Sequence, residues 1–218
     1  MHGIPLDTEL EELKSEILRM GELIENSVYR AVKSLFCDQP EAASEVVASD
    51  DQVDRYYKKV QDKGLRLLAL HQPLAVDLRT VQAGLQIATD LERMGDYAEK
   101  IAKITLRLHN KRSMTHPLCL ETLSSAVLNV VSDALNSYAQ NDTEKAAVII
   151  AEEDCADGLY RRCFEQLVDI IKEDPNKAEM AVQLLFASYS LERIADHATN
   201  IGEAVVYMVT GKREDFNE

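Results

Sequence analysis

The six residues Leu91-Glu92-Arg93-Met94-Gly95-Asp96 return 100 positions later as Leu191-Glu192-Arg193-Ile194-Ala195-Asp196. The match runs on, with Ala98 answered by Ala198 and Ile101 by Ile201. Further upstream the register changes to 103. Val47-Ala48 is answered by Ile150-Ala151, Asp50-Asp51 by Glu153-Asp154, and Asp54 with Tyr57 by Asp157 with Tyr160. A chain that repeats itself over this span is built from two copies of one unit. Three residues have been lost from a connection in the second copy.

Punctuation defines the unit. Prolines stand at 5, 40, 73, 117 and 175, and the break Asn141-Asp142-Thr143 takes the place of Pro40 in the second copy. Proline cannot continue a helix interior, so these points leave six uninterrupted stretches: 7–37, 41–71, 75–112, 118–140, 143–172 and 176–210. None alternates as a strand does. In the sixth, Leu191, Ile194, Ala195, Ala198, Ile201, Val205 and Met208 lie on one helical face. Leu91, Met94, Gly95, Ala98, Ile101 and Ala102 repeat that face in the third, and the small residues at 95/195 and 98/198 predict close helix approach. Thr8-x-x-Glu11 and Asp38-x-x-Glu41 read as capping boxes, Asp142 as the cap of the fifth stretch, and Gly211 as a helix stop. The predicted fold class is all-α: two tandem pseudo-symmetric three-helix bundles, six helices related by internal duplication. The first repeat is expected over 7–113 and the second over 117–211. Each unit has a modest core, so the halves are expected to bury surface against each other.

Composition narrows the function. Hydrophobic residues make up 46% and charged residues 28%, a globular balance. A formal charge of −14 argues against nucleic acid and favours cations or basic protein surfaces. Cys37, Cys119, Cys155 and Cys163 show no zinc spacing and are expected as free, mostly buried thiols in a reducing cytoplasm. Met1 to Asp7 lacks the basic-then-apolar pattern of a signal peptide. Apolar runs such as Ala146 to Ala151 fall far short of a membrane span, which leaves peripheral association through partners.

The chemistry lies in carboxylates. Glu92, Asp96 and Glu99 form one polar stripe, roughly 135° around the helix from the apolar centre. Glu192, Asp196, Thr199 and Glu203 form its counterpart. The second helix of each copy carries another pair, Asp50 with Asp54 and Glu153 with Asp157. Neighbouring helices bringing such pairs together would offer four carboxylates to a cation cluster. Chance alone places about six acidic i,i+4 pairs in a chain with 38 acids among 218 residues, so one pair means little. Recurrence of both pairs in both copies carries more weight, against the alternative of a solvated face. The stripes are expected to face outward. His197 is expected on another side of the helix in a capping or surface role, and Arg93 and Arg193 in surface ion pairs. Gln72-Pro73-x-x-x-Asp77-Leu78-Arg79 reads as a turn and helix start, with Asp77 at the positive helix end. There is no glycine-rich phosphate loop and no nucleophile with a base at recognisable spacing.

On this Gln-Pro turn, the two Leu-Glu-Arg motifs and the run Asp196-His197-Ala198-x-Asn200-Ile201, the chain resembles the PhoU family of phosphate-uptake regulators, from about Leu10 to Lys212. The resemblance implies a cytoplasmic, non-catalytic adaptor and negative regulator. It would associate with the ATPase or permease of a phosphate ABC transporter and with a sensor histidine kinase, commonly as a homodimer. It also implies multinuclear metal clusters (Fe, Zn, Mn or Mg) on Asp50, Asp54, Glu92 and Asp96 in the first copy and on Glu153, Asp157, Glu192 and Asp196 in the second. Asn200 follows the family pattern, whereas the first copy has Lys100, whose ammonium is expected to weaken the first site. The alternatives are a metal-dependent helical-bundle hydrolase or oxidase, and a similar regulator serving another transporter.

Overall fold

The structure is a computed structural model that describes residues 5–109, 117–151 and 153–212, apart from the side chains of 151–154. Its elements are α1 (Leu6–Cys37), α2 (Pro40–His71), α3 (Ala75–Leu108), α4 (Leu118–Gln140), α5 (Thr143–Ala151), α6 (Glu153–Glu173) and α7 (Ala178–Thr210). A 3-10 turn, Pro175–Lys177, precedes α7. Helices α5 and α6 flank residue 152 and occupy the single stretch predicted over 143–172. No strand occurs among the described residues.

Proline and left-handed residues set the boundaries. Pro40 opens α2, and Asp38 closes α1 at φ 48°, its N–H bonded to Ser34 O. Asp38 is therefore a C-terminal cap, not the N-terminal cap expected, because aspartate tolerates the left-handed region that the αα corner needs. Thr8 does not cap either. Helix α1 starts at Leu6, and the Pro5 carbonyl accepts from the N–H groups of Thr8 and Glu9 at 3.1 and 3.2 Å. Asp142 Oδ1 does accept from Lys145 N at 3.0 Å, and Gly211 ends α7 at φ 74°. Asp77 lies in the first turn of α3.

Helices α1, α2 and α3 pack pairwise into one bundle, and α4, α5 with α6, and α7 into the other. Ile24, Ile87, Leu91, Met94 and Ile101 are fully buried in the first; Leu120, Leu184, Ile194 and Ile201 in the second. Each such side chain contributes about 1.5–3 kcal/mol. The spacing at Gly95 is close: a Cβ there would lie 3.0 Å from Ile24 Cδ1.

The halves join along two lines. The broadest contact in the molecule is α3 against α7, and α1 meets α4 beside it. Tyr138 and Leu135 of α4 reach the first bundle at glycines. Leu135 packs onto Gly21, and the Tyr138 hydroxyl faces Gly84. Burial of Tyr138 pushes its phenol far above the ordinary value.

Two expectations are corrected. Helix α4 is long and apolar enough to cross a membrane by length and composition, although half of its apolar window is buried in the bundle. Scattered serines and asparagines break its continuous apolar runs but leave its mean hydropathy high. The thiols divide evenly, with Cys119 and Cys163 buried and Cys37 and Cys155 exposed.

Candidate metal centre

In the second bundle, Asp157 of α6 faces Glu192 and Asp196 of α7. One carboxylate oxygen from each lies within 4.8 Å of the others. The i,i+4 spacing puts Glu192 and Asp196 on one face of α7, and the antiparallel neighbour supplies the third acid. Glu153, the fourth residue expected, opens α6, and its side chain lies outside the described residues. Cations balance the cluster only in part. Arg193 Nη1 donates to Asp196, and Arg161 stands 3.8 Å from Asp157. Glu192 Oε2 is buried with no hydrogen-bond partner among the described residues.

The charges strain one another. Burial first, then Asp196 and Asp157, push the Glu192 carboxyl up to about 7, with Arg193 opposing. Burial also raises Asp196, with Asp157 adding and Arg193 and His197 opposing. Tyr160, whose match to Tyr57 marks the repeat, is raised by burial and by Glu192. An all-oxygen set with an orphaned, partly desolvated carboxylate fits a hard or borderline cation such as Mg, Mn, Fe or Zn.

The first bundle gathers Asp50 and Asp54 of α2 with Glu92, Asp96 and Glu99 of α3. Burial raises Asp50, and Glu99, Asp96 and Asp54 add to the shift. Burial and Asp96 do the same to Glu92, against Arg93. Arg93 holds Asp96 at 3.2 Å and Glu92 at 3.4 Å. This group is looser, and it includes Glu99, which the sequence placed on the same stripe but outside the expected ligand set.

Three expectations change here. The stripes do not face outward. Glu92 and Asp196 are only 20% and 21% exposed, since each lies in a groove between helices rather than on a crest. Lys100 is not the cation beside the first cluster. Its Nζ lies 4.0 Å from the Tyr97 ring centroid, while Lys103 opposes the rise of Asp50 and pairs with Glu99 at 2.6 Å. His197 neither caps nor sits on the surface. Its side chain is 13% exposed, with Nδ1 2.9 Å from Asp90 Oδ1 across the α3–α7 seam. Asn200 Nδ2 donates to the same oxygen at 3.2 Å. Asp90, one residue before the Leu-Glu-Arg motif, was not anticipated. Its counterpart is Ser190, so the repeat concealed it.

The same doubling emerges from comparison with known proteins. The family model described as the PhoU domain matches residues 17–105 and again residues 120–205. The chain belongs to the PhoU family. A relative from Clostridium acetobutylicum, a "phosphate-specific transport system accessory protein PhoU homolog", is 36% identical over 215 residues, 97% of each chain. A relative of the same name from Caulobacter vibrioides is 34% identical, covering 94% of this chain and 89% of that one. Among solved structures, PhoU from Pseudomonas aeruginosa superposes with a TM-score of 0.93 at 32% identity, covering 95% of this chain and all of that one. The phosphate transport system regulatory protein PhoU from Streptococcus pneumoniae gives 0.88 at 29% identity, covering 97% and all of that chain. The twin bundles are thus the PhoU architecture.

Proposed function

We propose that this chain is a non-catalytic accessory regulator of phosphate uptake, working at the cytoplasmic side of a phosphate ABC transporter. The observation that carries the reading is end-to-end relatedness: 36% identity across 97% of both chains to a phosphate-transport accessory protein. Its partners in this reading are the transporter's ATPase or permease and a sensor histidine kinase, engaged as a homodimer. A regulator of this kind acts by binding two states of its partner unequally, and coupling of about 1–3 kcal/mol suffices for a several-fold change in output. Deleting the protein is expected to derepress phosphate-starvation genes in high phosphate. An unchanged expression profile would overturn the reading.

Cations belong to the same proposal. Asp157, Glu192 and Asp196 form the stronger site, with Glu153, one turn before Asp157 in α6, as the fourth proposed ligand. Asp50, Asp54, Glu92 and Asp96 form the weaker one, because their group is looser and Lys103 reaches into it. Bound metal would offset the mutual repulsion of the carboxylates and fix α6 against α7 and α2 against α3. Elemental analysis of tag-free protein is expected to show metal that is lost in the Glu192→Ala/Asp196→Ala variant. Equal content in both would remove the site and leave the adaptor reading intact.

A further inference from the structure

At the 100-residue offset, Asp90 corresponds to Ser190, Tyr97 to His197 and Lys100 to Asn200. One end of the α3–α7 seam is closed by Asp90, which holds both His197 and Asn200. At the equivalent end Ser190 takes the aspartate's place and donates to the Phe186 carbonyl of its own helix at 2.8 Å, and no carboxylate among the described residues lines the gap. A hollow of about 480 Å³ opens there instead. Lys100, Lys103 and Arg107 line it from one face of α3, and Phe186 and Tyr189 from α7, with Tyr97 between. The α7 counterparts of the three cations are Asn200, Glu203 and Tyr207, so the positive face belongs to one end alone.

Lys103 shares its charge with Glu99. Among the described residues, neither Lys100 nor Arg107 has an ion-pair partner. Phe186 and Tyr189 are 56% and 44% exposed, a high exposure for aromatic rings beside a cavity. We propose that this hollow binds a small phosphorylated ligand with a planar ring, of the nucleotide class. The phosphate stands where the missing carboxylate would, against Lys100 and Arg107, and the ring lies against Tyr189 and Phe186. The volume falls in the range of small-molecule sites, about 300–1,000 Å³. Inorganic phosphate alone would leave the aromatic wall unused. A long acidic segment would meet the repulsion of a surface carrying a net charge of −14, whereas a compact anion meets only the local cations. The hollow adjoins the carboxylate clusters, through Lys103 on Glu99 and Tyr97 beside Arg193, but uses none of their acids and does not depend on the regulatory reading.

Calorimetric titration of the full chain with ATP, AMP, adenosine, inorganic phosphate and an acidic peptide tests the proposal. ATP is expected to bind with a Kd at or below about 1 mM, more tightly than adenosine, phosphate or the peptide. Lys100→Gln/Arg107→Gln and Tyr189→Ala should each weaken it about tenfold, while Arg19→Gln leaves it unchanged. In the unmutated chain, ATP should shift NMR signals within residues 97–107 and 186–190, a readout independent of variant folding. Absence of binding, signal shifts elsewhere, or affinity indifferent to these variants would overturn the proposal. So would phosphate binding as tightly as ATP, or the acidic peptide binding more tightly than either.

Discussion

Glu192 holds its negative charge at a cost, and that makes the fold sensitive to pH. Its carboxyl is raised to about 7 from an ordinary 4.5, so the folded chain binds more protons than the unfolded chain between those values. Stability therefore falls as pH rises from about 4.5 to about 7 and stays reduced above it. In metal-free protein, Glu192→Gln is expected to stabilise the fold at pH 8 by about 1 kcal/mol, allowing for solvent screening, and to do nothing at pH 4.5. Urea melts at the two pH values check this. A cation competes with the same proton, so Mn²⁺ affinity measured by calorimetry should drop as pH falls below about 7, with protons released on binding. Asp90 carries a different kind of weight. Asp90→Leu leaves His197 and Asn200 without their shared acceptor and is expected to cost about 1–3 kcal/mol in urea melts, with Asp90→Asn costing less. The acids of the clusters were legible in the sequence where they recur in both copies, as Glu92 and Asp96 do in Glu192 and Asp196; Glu99, answered by Thr199, was not. Asp90 and the true position of His197 were not, since their bonds cross between copies and have no repeat to mark them.

Glycine spacing decides how closely the elements approach. A Cβ on Gly202 would lie 3.2 Å from the carbonyl oxygen of Ala146, a backbone atom of α5 that cannot swing aside. Gly202→Val is expected to destabilise the protein by about 1–3 kcal/mol in a thermal melt. Gly158 in α6 has nothing within 4 Å of its would-be Cβ, and Gly158→Ala should stabilise by up to about 1 kcal/mol through helix propensity alone. The opposite signs separate packing from propensity. Element boundaries read well from the chain wherever a proline or Gly211 forced them. The two capping boxes failed because Pro5 stands at the N-cap of α1 and Pro40 opens α2, which leaves Thr8 inside a helix and Asp38 at the end of the previous one.

At the scale of the molecule, the two bundles complete each other. Tyr138 and Leu135 of α4 are buried only because α1 and α3 present glycines to them. A chain comprising residues 117–211 alone is expected to melt far below the intact protein and to bind a hydrophobic dye, as the seam is left wet. Scanning calorimetry and dye fluorescence measure both effects. The duplication made this pairing foreseeable, but not its lack of symmetry. Pattern matching finds what two copies share, and the hollow at Lys100 lies where they differ.

That difference gives the molecule a direction. A perfectly doubled bundle would look the same when turned end for end, so a neighbour could seat on it in either of two poses. Replacing aspartate by serine at one end of the seam and asparagine by lysine beside it removes that ambiguity: the protein has acquired a front and a back, and whatever docks on it can do so only one way round.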